Sequence, residues 1–146
     1  MNITTFSDYT LRVLIYLATH AGEKSTAQDI AAAYDISFHH VAKAAQWLAR
    51  EGHVISERGR SGGMILQQAA EDINIGQILR ATEAGSALVD CMRANGGSCC
   101  ISPSCGLKSA LAEAKAAFYT VLDKFSLADI SAEKTALRML LGERGF

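Results

Sequence analysis

The stretch STAQDIAAAYDISFHHVAKAAQWLAREG, residues 25 to 52, decides the fold of this 146-residue chain. Thr26 followed three residues later by Asp29 makes a helix start of the capping-box kind, with Asp in place of the usual Glu or Gln. A short helix then runs to about Tyr34 and breaks at Asp35-Ile36. Ser37 can cap a second helix, in which Val41, Ala44, Ala45 and Leu48 recur at helical spacing. His39, His40, Lys43 and Gln46 lie elsewhere around that helix, and Gly52 closes it. Two short helices joined by a tight turn, the second with a small-residue inner face and a polar outer face, describe a helix-turn-helix.

Downstream, HVISERGRSGGMIL alternates and turns, so Val54-Ile55 and Met64-Ile65-Leu66 read as strands around a tip running from Arg58 to Gly63. This is a wing. Its glycines allow close backbone approach to a duplex, and its two arginines suit the narrow minor groove. Residues 73 to 83, INIGQILRATE, read as one more short helix. Upstream, residues 5 to 20 read as a helix with a wide apolar face that includes Phe6, Tyr9, Leu14 and Leu17, ended by Ala21-Gly22.

A last helix is predicted from about Pro103, which a first helical turn tolerates, to Phe125. Its apolar seam, Leu107, Leu111, Ala114, Phe118, Val121 and Phe125, steps by 4, 3, 4, 3, 4, the pattern of a coiled coil ~30 Å long. Such a seam either crosses its own domain or pairs with a second copy. Pairing is favoured, because helix-turn-helix proteins commonly bind two half-sites as dimers. The expected architecture is therefore mostly α: a winged helix-turn-helix over residues 1–83, a cysteine-containing loop over 84–106, and a dimerisation helix with C-terminal tail over 107–146.

The composition, 49% hydrophobic and 20% charged with a single proline, suits a helix-rich globular protein. The apolar run Val13 to Ala18 is too short for a membrane span or a secretory signal, so a cytoplasmic protein with no membrane partner is expected. Net charge is −1, and any DNA affinity must come from a local patch. Residues 36 to 66 are the candidate: Lys43, Arg50, Arg58 and Arg60 stand against Glu51 and Glu57. Ser37, His39, His40 and Lys43 are the candidate contacts of the second helix to bases or phosphates, and Arg58 and Arg60 those of the wing to the minor groove of a double-stranded operator. Ser37 could instead be only a cap, the histidines only solvated, and Arg50 only an ion-pair partner of a neighbouring Glu. No glycine-rich nucleotide loop follows a strand, and no acid, base and nucleophile are grouped, so an enzyme is not expected.

All four cysteines fall in CMRANGGSCCISPSC, residues 91 to 105. In a reducing cytosol clustered cysteines more often mean metal or redox chemistry than disulfides, and adjacent Cys99 and Cys100 pair poorly without strain. Zinc spacing is met only between Cys100 and Cys105. The gaps Cys91-x7-Cys99-x5-Cys105 are wide enough to wrap an iron–sulfur cluster, and Gly96, Gly97 and Ser98 leave backbone N–H groups free to face it. Spacing alone leaves cluster, zinc and plain or redox-active thiols level.

With these pieces placed, RGRSGGMIL and CCISPSCGLKSAL above all, the chain resembles the Rrf-type family of bacterial iron–sulfur transcription regulators, from NITTFSDYTLR through SLADI. Within the family the opening TTFSDYTLR resembles that of the nitric-oxide-sensing repressors. The resemblance implies that Cys91, Cys99 and Cys105 hold a 4Fe–4S cluster, or alternatively a 2Fe–2S cluster, and that Asp8 from the partner subunit of a homodimer completes it. It implies nitric oxide as the signal, with iron or cluster status, as sensed by other family members, as the alternative. Two departures stand out: Cys100 occupies a position where the family usually has another residue, and the Cys91 to Cys99 gap is longer than in some nitric-oxide-sensing members and close to that of the iron regulators. A zinc-stabilised DNA-binding module and an iron–sulfur redox protein are the remaining readings.

Overall fold

The computed structural model describes residues 2–142. Seven α-helices and one two-stranded sheet follow each other as α1 (Thr5–Thr19), α2 (Ala27–Tyr34), α3 (Phe38–Arg50), β1 (Val54–Glu57), β2 (Gly63–Leu66), α4 (Ile75–Thr82), α5 (Gly106–Leu122), α6 (Leu127–Ile130) and α7 (Lys134–Leu140). Four of the helix starts carry side-chain caps. Thr4 accepts from Ser7 N at 3.2 Å, and Asn74 accepts from Gln77 N at 3.0 Å. Thr26 with Asp29 and Ser126 with Asp129 form complete capping boxes.

α2 ends with Asp35 in the left-handed region, φ 52°, while Ile36 N reaches back to Ala31 O at 3.0 Å. That reversal sets the tight turn between α2 and α3. Ser37 occupies the cap position of α3, as expected, but its hydroxyl makes no capping bond. His40 N and Val41 N bond instead to Ser37 O, at 3.2 and 3.1 Å, which leaves the side chain free at the surface.

The core gathers one face of α2, α3, α4 and α6 around α1. Val13 and Leu14 of α1, Ile30 of α2, Val41, Ala44 and Leu48 of α3, and Leu127 of α6 are fully buried, with Val54, Ile73 and Ile78 nearly so. The wing pairs antiparallel with Val54 opposite Leu66, Ile55 opposite Ile65, Ser56 opposite Met64 and Glu57 opposite Gly63. Its inner strand is pinned to the α1–α2 turn by a bridge between Ser25 and Met64, whose two backbone bonds measure 3.1 and 2.7 Å.

α5 is shorter than its seam suggests. Pro103 sits in a separate 3-10 turn, Ser102–Ser104, and the helix begins at Gly106. It ends at Leu122, so its 17 residues span about 25 Å and Phe125 lies beyond it. The cause is long-range: the Arg80 guanidinium clamps both oxygens of the Asp123 carboxylate, and Asn74 Nδ2 donates to Asp123 O at 2.7 Å. Gly76 permits this approach, because a Cβ there would fall 2.1 Å from Asp123 Oδ1. The chain then turns at Ser126 and returns to α1. Arg138 of α7 bonds the Glu23 carboxylate just past the end of α1, and the tail thereby folds against the winged unit.

Candidate functional site

α3 presents its polar face outward. Ser37, His39, His40 and Lys43 are all exposed, as are Arg58 and Arg60 at the wing tip. Arg58 lines one groove with Ala42, Gln46 and Ala49 of α3 and Ser56 of β1, which brings the helix and the wing to a common face. His40 and Lys43 lean back on α1: the His40 ring lies 5.6 Å from that of Tyr9, and Lys43 Nζ sits 5.6 Å from the centre of Phe6. Phe6 meets Trp47 of α3 edge-on at 5.9 Å. α1 therefore sets the attitude of α3. Arg50 pairs with Glu51, Nε to Oε1 at 3.3 Å, and so behaves as the surface partner that its neighbours suggest.

Two contacts at the base of the wing were missed by sequence reasoning. Lys24 pairs with Glu57, the residue that precedes Arg58, and so fixes the root of the tip. The imidazole of His53 is accessible to Gln68 Nε2 at 3.2 Å, and partial burial pushes its pKa below the ordinary value despite the opposing charge of Glu51. Neither contact has a local sequence signal, since each joins residues at least 15 apart.

The segment between α4 and α5 holds the cysteines in turns rather than in regular elements. Cys91 is buried in a 3-10 turn, Asp90–Met92. Cys99 and Cys100 are exposed, Cys105 is half-buried at the start of α5, and all four are free thiols. A clasp closes the first part of the loop. Ser98 N donates to Asp90 Oδ2 at 2.8 Å and the Ser98 hydroxyl donates to the same oxygen at 3.3 Å, while Arg93 Nε lies 3.3 Å from Oδ1. These bonds, that from Ser98 N first, hold the Asp90 carboxyl below its usual range. Since Cys91 follows Asp90 and Cys99 follows Ser98, the clasp ties together the chain positions that carry both thiols. Gly97, at φ +65°, makes the clasp possible, because a Cβ there would fall 2.3 Å from Asp90 O.

Thiols in a turn-rich, clasped loop match in kind the thiolate donors that iron–sulfur clusters take. Among the described residues, however, no three His, Cys, Asp or Glu side chains are gathered into a metal-holding group. Asp8 lies in the first turn of α1 and bonds within its own chain to Arg12, Oδ2 to Nη2 at 3.0 Å. The Arg12 guanidinium in turn lies 5.7 Å from the Tyr9 ring centre and 5.5 Å from that of Tyr34.

Residues 3–133 match the family described as Rrf2, an iron-dependent transcriptional regulator. The chain belongs to the Rrf2 family. Its similar relatives include the HTH-type transcriptional regulator NsrR of Bacillus subtilis, 45% identical over 142 residues and 97% of each chain. The protein of the same name from Geobacillus kaustophilus is 43% identical over 145 residues and 99% of each chain. Among solved structures, T. potens IscR superposes with a TM-score of 0.71 at 27% identity, covering 91% of this chain and 88% of the other. CymR, the global cysteine regulator of B. subtilis, superposes at 0.72 with 26% identity, covering 91% and 98%. This Rrf2 chain is a DNA-binding transcription regulator of the winged-helix type and not an enzyme. No helix among its described residues is long and apolar enough to cross a membrane.

Proposed function

We propose that this chain is a homodimeric repressor whose grip on its operator is set by an iron–sulfur cluster that responds to nitric oxide. What carries the reading is the pairing of a clasped, cysteine-bearing loop with a winged helix, in a chain 43 to 45% identical to regulators named NsrR. Cys91, Cys99 and Cys105 ligate as thiolates, and Asp8 of the partner subunit supplies an oxygen. The 4Fe–4S form is favoured over 2Fe–2S. Bound there, the cluster would supply iron open to nitric oxide. Asp8 is the weaker donor, and it must leave or share its bond with Arg12 in order to ligate.

The division of labour follows the chain. Residues 1–83 read DNA, 84–106 sense, and α5 within 107–146 joins two copies through Leu107, Leu111, Phe118 and Val121. In the dimer the two α3 helices enter successive major grooves about 34 Å apart, with Ser37, His39, His40 and Lys43 at bases or phosphates. Arg58 and Arg60 enter the flanking minor grooves. Movement of the 91–105 loop shifts the spacing of the two α3 helices and weakens the hold on DNA. An effector can act only by binding the two states unequally.

The test is iron, sulfide and zinc content with visible absorption on protein purified without oxygen, before and after nitric oxide, alongside operator binding. A coloured iron–sulfur protein that bleaches and releases DNA is the expected result. Zinc or no metal, with DNA binding unchanged, overturns it. A cluster that ignores nitric oxide but follows iron supply moves the reading to iron or cluster status.

A further inference from the structure

Glu83 closes α4 and is 7% exposed, yet the cations Arg12, Arg80 and Lys115 all have other partners: Asp8, Asp123 and Ser86 O. Its carboxylate is instead satisfied from the start of α1. Glu83 Oε1 accepts from Thr4 N at 2.7 Å, from Thr4 Oγ1 at 2.8 Å and, closely, from the Ser7 hydroxyl. Ser7 is itself fully buried and contacts Thr82 Oγ1 at 2.8 Å. Thus a negative charge is held by the N-terminal end of a 15-residue helix, where the helix dipole favours it.

The same residue begins the path to the cysteines, eight positions before Cys91. Ser86 N donates to Glu83 O at 2.8 Å. Ser86 O accepts from Lys115 Nζ of α5 at 3.0 Å. On the far side, the turn of α1 held by Glu83 carries Phe6, Asp8 and Tyr9. Two of these meet α3 directly, Phe6 at Trp47 and Tyr9 at His40. Every link between the loop base and the DNA-reading helix is therefore a contact already in place.

We infer that Glu83 is a positioning residue: its buried carboxylate couples the base of the cysteine loop to the first turn of α1, and through Phe6 and Tyr9 to α3. Displacement of residues 84–90 pulls on Thr4 and Ser7, tilts the start of α1, and turns the recognition face. The same bonds set where Asp8 stands. This deepens the proposed sensing function and rests on it for the source of the displacement, while the coupling itself belongs to this chain without any cofactor.

The test compares wild type with Glu83→Gln, with Ser7→Ala as a milder variant, and with Ile30→Val as a control for stability loss elsewhere in the core. Hydrogen exchange on metal-free protein reads the coupling. Glu83→Gln should raise exchange at least tenfold at residues 4–8, at 84–90 and in the first turn of α3 together. Ser7→Ala should do so more weakly in the same places, and Ile30→Val, compared at equal melting temperature by adjusting denaturant, should not reproduce the pattern. In cluster-containing protein, Glu83→Gln should shrink the ratio of operator affinities before and after nitric oxide at least fivefold. Exchange that rises at 4–8 alone in both variants, or an unchanged ratio, overturns the inference. If wild type holds no cluster and shows no such ratio, the sensing function falls, and the exchange pattern still decides the role of Glu83.

Discussion

Removing the charge of Glu83 should cost stability in a way that depends on pH with a definite sign. Burial alone would raise the Glu83 pKa, but bonds from Ser7, Ser86 and Thr4 outweigh it and bring the carboxyl from 4.5 down to about 2. A depressed carboxyl contributes stability that is present above its unfolded pKa and is lost as pH falls through its folded one. At about 1.4 kcal/mol per unit, the charge is worth about 2 to 3 kcal/mol near neutral pH. For a domain of this size that corresponds to a melting temperature lower by about 6 to 9 °C in Glu83→Gln. The assay is thermal unfolding of wild type and variant at matched pH values from 7 to 2, so that the other carboxylates cancel in the difference. The gap should hold from pH 7 to about 5 and narrow steadily toward pH 2. A gap below 2 °C at pH 7, or one that stays constant down to pH 2, refutes the account of Glu83 as a charge held by the end of α1.

Three further perturbations separate the parts of the molecule. Operator binding should weaken with salt at a log–log slope of roughly −5 to −7 for a dimer, and Arg58→Ala should flatten that slope by about 2 while weakening A·T-rich flanks most; equal loss on every flank would show that Arg58 only holds phosphate. Gly97→Ala places a Cβ against Asp90 O at 2.3 Å, so the loop clasp should open and iron content fall severalfold while the melting temperature changes by less than about 3 °C. Iron retained in that variant would remove the clasp from the cluster site. Val121→Asp puts a charge on the exposed seam of α5, where Val121 is 52% exposed, and should turn a sedimenting dimer into a monomer that still folds; a surviving dimer would move the interface elsewhere.

The helix-turn-helix was legible because its signals are local. Thr26 and Asp29 form the anticipated box, and Val41, Ala44, Ala45 and Leu48 are the inner face of α3. The wing was legible too, since only its glycine-rich tip separates two short apolar runs. What escaped was everything fixed across long separations. The coiled-coil periodicity runs on to Phe125, but Arg80, 43 residues upstream, ends α5 by clamping Asp123. Residues after α5 read as a tail, whereas Leu127 is fully buried and Leu127 N donates to Ile73 O at 2.8 Å. Glu83 carries no local signal of its role, because its partners Thr4 and Ser7 lie 79 and 76 residues away. The cysteine spacing marked the thiols, but the Asp90 to Ser98 clasp between them carries no spacing signature.

These contacts give the two halves of the molecule unequal stiffness. The reading unit shares one core from α1 to α6, and its opening requires exposure of fully buried Val13, Leu14, Ile30, Val41 and Leu48. The cysteine segment offers two 3-10 turns, mostly exposed side chains and a few bonds at its ends, the character of a segment that opens at low cost. A switch built this way needs a join stiff enough to transmit and weak enough to be biased. Allosteric couplings are typically about 1 to 3 kcal/mol, and hydrogen bonds to a charged group are each worth about 1.5 to 3 kcal/mol. Straining one or two of the bonds at Glu83 is therefore enough to carry a signal of ordinary size. In the inferred coupling the core around α1, whose opening costs far more, would turn with them as a body instead of yielding.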